Sequence, residues 1–172
     1  MKIRHRMTKQ VATVRATDST AAAARLMWDC DCGAVPVLDG DGRAIAMITD
    51  RDICMAALMR DSAPSAIPVS EAMSRTLRFC GPDDAVSTAE GIMRTYQIRR
   101  IPIVDKERRP VGMLSLADIV RGAERKSGRS TKSKSRTKTR TTKVASSVVA
   151  GTLADICAAP PREPARVAAR AS

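Results

Sequence analysis

The chain has 172 residues and a formal net charge of +12, with 30 Lys and Arg against 18 Asp and Glu. Hydrophobic residues make up 44% and charged residues 28%, a balance typical of globular proteins that excludes a wholly disordered chain. Aromatic residues make up only 2%, which argues against a nucleic-acid surface built on base stacking. Residues 1–10 precede no apolar run, and the uncharged stretch 144–154 is too short to span a bilayer, so we expect a cytoplasmic protein.

Cysteine and histidine offer little for catalysis or metal binding. The five cysteines show no CxxC spacing, and the single histidine, His5, lies near the chain start. Cys30 and Cys32 supply two ligands, fewer than a zinc site needs. Free thiols are the main expectation in a reducing compartment, with a metal or redox role for this pair as the minor alternative. With no nucleophile–base pair in view, we do not expect an enzyme.

Charge is concentrated at the carboxyl end. Residues 1–120 hold 17 basic and 15 acidic side chains, whereas residues 121–172 hold 13 and 3. Between 125 and 143, Lys and Arg alternate with Ser and Thr and almost no apolar residue occurs, which predicts a disordered basic tail over 124–172. A solvated tail and a segment that binds nucleic acid or another polyanion are both compatible with this pattern. Phosphorylation of the Ser and Thr residues would cancel the charge.

The segment 144–157 lies within this tail and has a different character. Its apolar residues recur at mixed spacings that weakly favour a short amphipathic helix. Pro160 and Pro161 then end any regular structure. A marginal helix on a flexible arm and a docking helix for a partner both fit.

The first two thirds of the chain contain an internal repeat. Residues 7–53 align with residues 73–119 at an offset of 66 without a gap. Such self-similarity predicts two copies of one structural unit. The identical pairs include Met7/Met73, Asp18/Asp84, Ala23/Ala89, Met27/Met93, Pro36/Pro102, Asp39/Asp105, Arg43/Arg109, Met47/Met113 and Asp52/Asp118.

Each unit begins with a predicted strand and helix. Alternating apolar residues predict short strands at 11–14 and 77–80. A helix follows in each unit, with Asp18 as the expected cap in the first and Asp83 or Asp84 in the second. The second of these helices is expected to end near Tyr96.

Two further strands and a helix complete each unit. Strands are predicted at 34–38 and 44–48, and a final helix at 49–59. The corresponding elements of the second unit are strands at 101–104 and 111–114 and a helix at 115–123. The residues between the paired strands, beginning Asp39-Gly40 and Asp105-Lys106, predict hairpin turns. The order is therefore β-α-β-β-α, twice.

The residues that carry these elements resemble a known family. The stretches AVPVLDGDG (34–42) and MITDRDI (47–53), with RRIPIVD (99–105) and MLSLADI (113–119), are similar to the cystathionine-β-synthase-type (CBS) domain. The resemblance covers roughly residues 5–122 and implies an α/β (α+β) fold. Two CBS repeats, at 7–60 and 73–122, would form one tandem pair called a Bateman module. It also implies a homodimer.

The junctions between the last strand and helix of each unit carry the candidate chemistry. Thr49 and Ser115 can cap a helix whose first N–H groups favour anions. Asp52 and Asp118, three residues on, have the right chemistry to accept hydrogen bonds from a sugar diol. The plain alternative is that all four residues only cap helices. Phosphate charge would be met by arginines, namely Arg51, Arg99 and Arg100.

The family resemblance implies a ligand for this element. In CBS pairs the Ser/Thr-x-x-Asp element commonly binds adenosine nucleotides, with the carboxylate on the ribose and the hydroxyl near the phosphate. By resemblance, AMP, ADP or ATP is the expected ligand, and S-adenosylmethionine is an alternative. The adenine slots would be lined by the short strands at Val35-Pro36 and Ile101-Pro102.

One departure from the family pattern separates the two copies. Many members carry Gly two residues before the apolar residue of this element; here Gly112 does so, and the first copy has Ala46. The Ala46 methyl is expected to crowd a close backbone approach. The leading interpretation is a stand-alone regulatory protein that binds an adenine nucleotide between its repeats and signals by conformational change. The alternative is a polyanion-binding protein that acts through its tail, with the CBS pair as a dimerising scaffold.

Overall fold

The computed structural model describes residues 1–121, and the predicted basic tail at 124–172, with its segment 144–157, lies outside this range. Within residues 1–121, no helix is long and apolar enough to cross a bilayer. The elements are β1 (Val14–Arg15), α1 (Thr20–Asp29), β2 (Ala34–Leu38), β3 (Ala44–Thr49), α2 (Asp50–Arg60), α3 (Val69–Ala72), α4 (Val86–Tyr96), β4 (Arg100–Val104) and β5 (Pro110–Ser115). Residues 116–121 are also helical and are called α5.

The two hairpins are built alike. β2 pairs antiparallel with β3 from Ala34↔Thr49 onward, and β4 pairs with β5 from Arg100↔Ser115 onward. Every pair in the second hairpin lies 66 residues after its counterpart, and both hairpins shift register at the same point. In the first turn, Asp39 Oδ1 accepts hydrogen bonds from the N–H groups of residues 41 and 43, and Asp105 Oδ1 does the same at 107 and 109. The sequence repeat is therefore a structural repeat.

The first strand of each unit is shorter than predicted. β1 contains only Val14 and Arg15 and runs parallel to β2, with Val14 opposite Val37. In the second repeat the expected strand is a single bridge between Cys80 and Ile103. Residues 11–13 and 77–79 therefore do not form the predicted strands. Pro36 precedes Val37, and Pro102 precedes Ile103. Since proline has no N–H group, it cannot donate a hydrogen bond to extend the pairing with the first strand.

The cap of α1 also differs from the prediction. Ser19, not Asp18, is the capping residue, and its Oγ accepts a hydrogen bond from Ala22 N at 3.2 Å. Asp18 instead accepts from Arg15 N at 2.7 Å and closes the turn before the helix. An Asp side chain can accept a backbone hydrogen bond in a turn as well as at a helix start. The prediction therefore placed the cap one residue too early.

The predicted cap of α4, Asp83 or Asp84, also lies before the observed one. Ala85 occupies the cap position of this helix and offers no side-chain hydrogen bond. Asp84 accepts from Gly81 N at 2.7 Å, in the turn that corresponds to that of Asp18. Asp83 forms an ion pair with Lys2, 2.8 Å away, and so contacts the chain start.

The segment that precedes each repeat packs on the other repeat. Residues 1–8 lie against the second repeat, where Ile3 is fully buried in its core with Met93 and Ile101. Residues 67–74 lie against the first repeat, where Val69 is buried. We call these two segments the leaders.

The exchange of leaders follows the same hydrogen-bond pattern on both sides. Ile3 N donates to Asp84 O at 3.0 Å, and Val69 N donates to Asp18 O at 2.8 Å. These donors and acceptors are each 66 residues apart. A third cluster, which includes Ala44, Leu77 and Val104, joins the two repeats directly.

Replacing Ile3 by Ala tests the exchange. We expect Ile3→Ala to lower the free energy of unfolding by about 2–4 kcal/mol, because it leaves a cavity in the core of the second repeat. Val69→Ala should act in the same direction on the first repeat, and urea denaturation should show one shared transition for each variant. The half-exposed Ile45 provides the control, since Ile45→Ala should cost less than about 1 kcal/mol. Two separate transitions, or no effect of Ile3→Ala, would contradict the exchange.

Candidate functional site

The Thr49–Asp52 element forms a complete capping box at the start of α2. Thr49 Oγ1 accepts from Asp52 N at 3.1 Å. In return, Asp52 Oδ2 accepts from Thr49 N at 2.9 Å and from Thr49 Oγ1 at 2.7 Å. Both residues are half-buried, which shields these bonds from water. Thr49 and Asp52 thus cap α2.

The second copy has the same geometry with one addition. Asp118 Oδ2 accepts from Ser115 N at 2.9 Å and from Ser115 Oγ at 2.6 Å, and Asp118 N donates to Ser115 Oγ at 3.2 Å. The other carboxylate oxygen, Oδ1, accepts from Arg121 Nη2 at 2.5 Å. A diol that binds Asp118 would therefore compete with Arg121.

The two Ser/Thr-x-x-Asp motifs occupy equivalent positions, each at the corresponding end of its own hairpin. Each motif begins at the residue that ends the second strand of its hairpin, opposite Ala34 or Arg100. A Cβ at Gly33 would lie 2.9 Å from Asp50 Oδ2 and 3.2 Å from Arg100 Nη1. Arg100 of the second repeat thus reaches the start of α2 in the first. We call the two motif-bearing regions cleft one (Thr49, Asp52) and cleft two (Ser115, Asp118).

The three arginines predicted to meet phosphate are all exposed. Among the described residues, no ion pair within 4.0 Å is formed by Arg51, Arg99 or Arg100. The backbone of Arg99 is fixed because its carbonyl accepts from Leu116 N at 2.9 Å. Cationic side chains without a carboxylate partner are suited to binding an anion.

The strands expected to line the adenine slots are buried. Val35 belongs to the first core and Ile101 to the second, with exposures of 1% and 0%. Pro36 and Pro102, which follow them, are buried as well. Their contact with a ligand remains a prediction.

The leaders belong to the clefts, which the sequence analysis did not foresee. Thr8 exchanges backbone hydrogen bonds of 2.8 and 2.9 Å with Met113, two residues before Ser115. Ser74 N donates to Met47 O at 2.8 Å, two residues before Thr49. Each cleft is therefore bordered by the leader of the other repeat. The Met-Thr and Met-Ser pairs, at 7–8 and 73–74, were the available sequence signal.

Gly112 marks where this approach is closest. A Cβ there would lie 2.5 Å from Met7 Sδ and 3.1 Å from Thr8 O, too near for either to stay in place. The corresponding Ala46 carries its methyl group at 1% exposure. By analogy with Gly112, the crowding expected from Ala46 would affect the contact between β3 and the leader at 67–74.

Comparison with known proteins gives the family. The CBS domain family matches residues 3–59 and 69–125. The chain belongs to the CBS-domain family. The CBS domain-containing protein YhcV of Bacillus subtilis is 38% identical over 117 residues, which cover 68% of this chain and 81% of YhcV. Hypoxic response protein 1 of Mycobacterium tuberculosis is 30% identical over 115 residues, with coverage of 67% and 80%.

Solved CBS pairs share the fold. The CBS domain pair of protein MJ0100, in complex with 5′-methylthioadenosine and S-adenosyl-L-methionine, is 26% identical and matches with a TM-score of 0.65 over 73% of this chain and 98% of that one. Hypoxic Response Protein I with two coordinated zinc ions is 29% identical and matches with a TM-score of 0.64 over 70% and 98%.

Within residues 1–121, no three His, Cys, Asp or Glu side chains are grouped in a way that could hold a metal ion. Cys30 and Cys54 are exposed and Cys32 is half-buried. Burial, aided by the charge of Asp84, raises the pKa of Cys80 to about 11. That thiol stays protonated at neutral pH, so it is a core residue and not a nucleophile.

Proposed function

We propose that this protein is a stand-alone regulatory CBS pair of the cytoplasm that binds an adenosine-type ligand in its clefts and signals by a change of conformation. The observation that carries the proposal is the pair of Ser/Thr-x-x-Asp capping boxes, each at the end of its own hairpin, together with the exposed arginines Arg51, Arg99 and Arg100. The complex of MJ0100 with two adenosyl compounds supports this ligand class.

Each part of such a ligand has a chemical counterpart in a cleft. Asp52 and Asp118 would accept hydrogen bonds from the two ribose hydroxyls. A phosphate would meet the helix start, its capping hydroxyl and the arginines, and the adenine would lie over Val35-Pro36 or Ile101-Pro102. AMP, ADP and ATP all carry these groups, whereas S-adenosylmethionine replaces the phosphate by a cationic centre.

Signalling would follow from where the ligand contacts the protein. Each cleft combines a helix start of one repeat with the leader of the other, so the ligand bridges two parts of the module. A ligand that binds one arrangement of these parts more tightly shifts the population toward it. The shift is limited by the difference between the two affinities.

Calorimetric titration with AMP, ADP, ATP and S-adenosylmethionine tests the ligand class. We expect at least one to bind, and Asp118→Asn or Asp52→Asn to weaken binding about tenfold or more, since a charged hydrogen-bond acceptor for the ribose is lost. Asn retains a carbonyl oxygen that can still accept from the capping residue. The helix start is thereby preserved while the charge is removed.

Ser19→Ala is the matched control for capping. It removes a cap from α1, outside both clefts, and should cost about 1 kcal/mol of stability without changing the affinity. If no ligand binds, or if the Asn variants bind as the parent does, the adenosine proposal fails. Ser115 and Asp118 would then be plain helix caps.

We also propose a homodimer formed through the outer helices. Trp28 on α1 and Leu58 and Met59 on α2 are 87%, 74% and 77% exposed, which is unusual for large apolar side chains. A second copy of the chain would cover them, as the family resemblance implies.

Light scattering tests the dimer. We expect the parent protein to have twice the 18.5 kDa mass of one chain, and the double variant Leu58→Glu, Met59→Glu to have the single mass, because it places charge in the apolar contact. Phe79 is exposed outside the helices, so Phe79→Ser should leave the dimer intact. A monomeric parent, or a dimeric double variant, would contradict the proposal.

The second candidate function is polyanion binding by the tail. The observation in its favour is the ten basic residues between 121 and 143, which would neutralise many phosphates without reading sequence. In this alternative the CBS pair serves as the dimerising scaffold.

Removal of residues 124–172 separates the two functions. We expect this variant to keep nucleotide affinity, since both clefts lie before residue 122, and to lose binding to DNA and RNA. Binding by the full chain should fall steeply as salt rises from 50 to 200 mM, as expected for counterion release. Nucleic-acid binding that survives the truncation, or that ignores salt, would exclude the tail as its cause.

A further inference from the structure

The two clefts carry different charges at positions that the repeat makes equivalent. Asp50, the first residue of α2, corresponds to Leu116, which is buried in the second core. Gly33 corresponds to Arg99, and Ala34 to Arg100. Cleft one therefore has a carboxylate beside its helix start where cleft two has an apolar side chain.

The Asp50 side chain is positioned by the backbone. Its Oδ1 accepts from Arg51 N at 2.7 Å, and its Oδ2 faces the space next to Gly33. Arg100 Nη1 reaches the same space from the second repeat. A Cβ at position 33 would meet the ends of both side chains, so any larger residue there would require Asp50 or Arg100 to move.

Asp50 is exposed, as is Arg100, so neither is held by burial. A phosphate at the start of α2 would lie beside the Asp50 carboxylate, with Arg100, which forms no ion pair with Asp50 within 4.0 Å, as the nearby cation. Like charges a few ångströms apart repel each other, whereas a neutral or cationic substituent is tolerated. At cleft two, Leu116 imposes no such repulsion and Arg99 is exposed.

We propose that Asp50 determines the ligand charge of cleft one, so that this cleft prefers adenosyl ligands whose 5′ substituent is neutral or cationic over those that carry a phosphate. This inference rests on the proposed adenosine site. Arg100 acts as the modulating partner, because it partly offsets the carboxylate across the boundary between the repeats. The module would then compare two classes of adenosyl compound in adjacent clefts.

Titration with AMP and with 5′-methylthioadenosine tests this assignment. Both are measured in the full chain carrying Asp118→Asn, which weakens cleft two. Adding Asp50→Asn should raise the affinity for AMP relative to 5′-methylthioadenosine about tenfold, a change of about 1.4 kcal/mol in relative binding free energy. Adding Arg100→Gln instead should lower the same ratio. The affinity for AMP relative to 5′-methylthioadenosine should therefore be highest with Asp50→Asn, intermediate in the Asp118→Asn background alone, and lowest with Arg100→Gln.

Asp41→Asn is the matched control. Asp41 is an exposed carboxylate in the turn at the opposite end of the same hairpin, so its loss changes net charge equally and should leave the ratio unchanged. A ratio that responds equally to Asp41→Asn and Asp50→Asn, or to neither while both ligands bind, overturns the role of Asp50 and leaves the adenosine site standing. Failure of both ligands to bind in every variant, the parent included, overturns both.

Discussion

The exchange of leaders is the constraint on which the rest of the module depends. Ile3 completes the core of the second repeat and Val69 that of the first, while Thr8 and Ser74 hydrogen-bond to the strands that lead into the motifs. A repeat separated from its neighbour would lose a buried side chain and leave strand N–H and C=O groups unpaired. The clefts are therefore products of the pairing and not properties of a single repeat.

The same hydrogen bonds that stabilise the helix starts hold the Asp52 and Asp118 carboxylates in place. One carboxylate oxygen of Asp52 and of Asp118 accepts hydrogen bonds from the capping residue, which fixes the side-chain rotamer. The other oxygen of each carboxylate is left for a second partner. In cleft two, Arg121 takes that oxygen. A ribose at this position would replace the ion pair with Arg121 by hydrogen bonds from neutral hydroxyls.

Interactions between residues close together in the sequence were predicted better than those between residues far apart in it. The hairpins, their turns and the Thr49 and Ser115 caps follow from local patterns, and all were predicted within one residue. Asp18 and Asp84 were misjudged because a carboxylate satisfies a turn or a cap equally well. The exchange of leaders was missed because two copies of one pattern do not reveal which copy a segment pairs with. The reach of Arg100 to Gly33 likewise depends on tertiary packing.

The near-symmetry of the backbone makes the remaining differences in side chains informative. Most backbone hydrogen bonds of the hairpins and leaders recur at an offset of 66, so the backbone around the two motifs is closely similar. At these equivalent positions Asp50 is replaced by Leu116 and Gly33 by Arg99, so the charge beside the helix start differs between the two repeats. Under the proposal above, equivalent sites that differ in charge would distinguish ligands that have the same adenosine and differ in what is attached to it. The repeat would then supply a common backbone, and side chains such as Asp50 would determine which ligand each half binds.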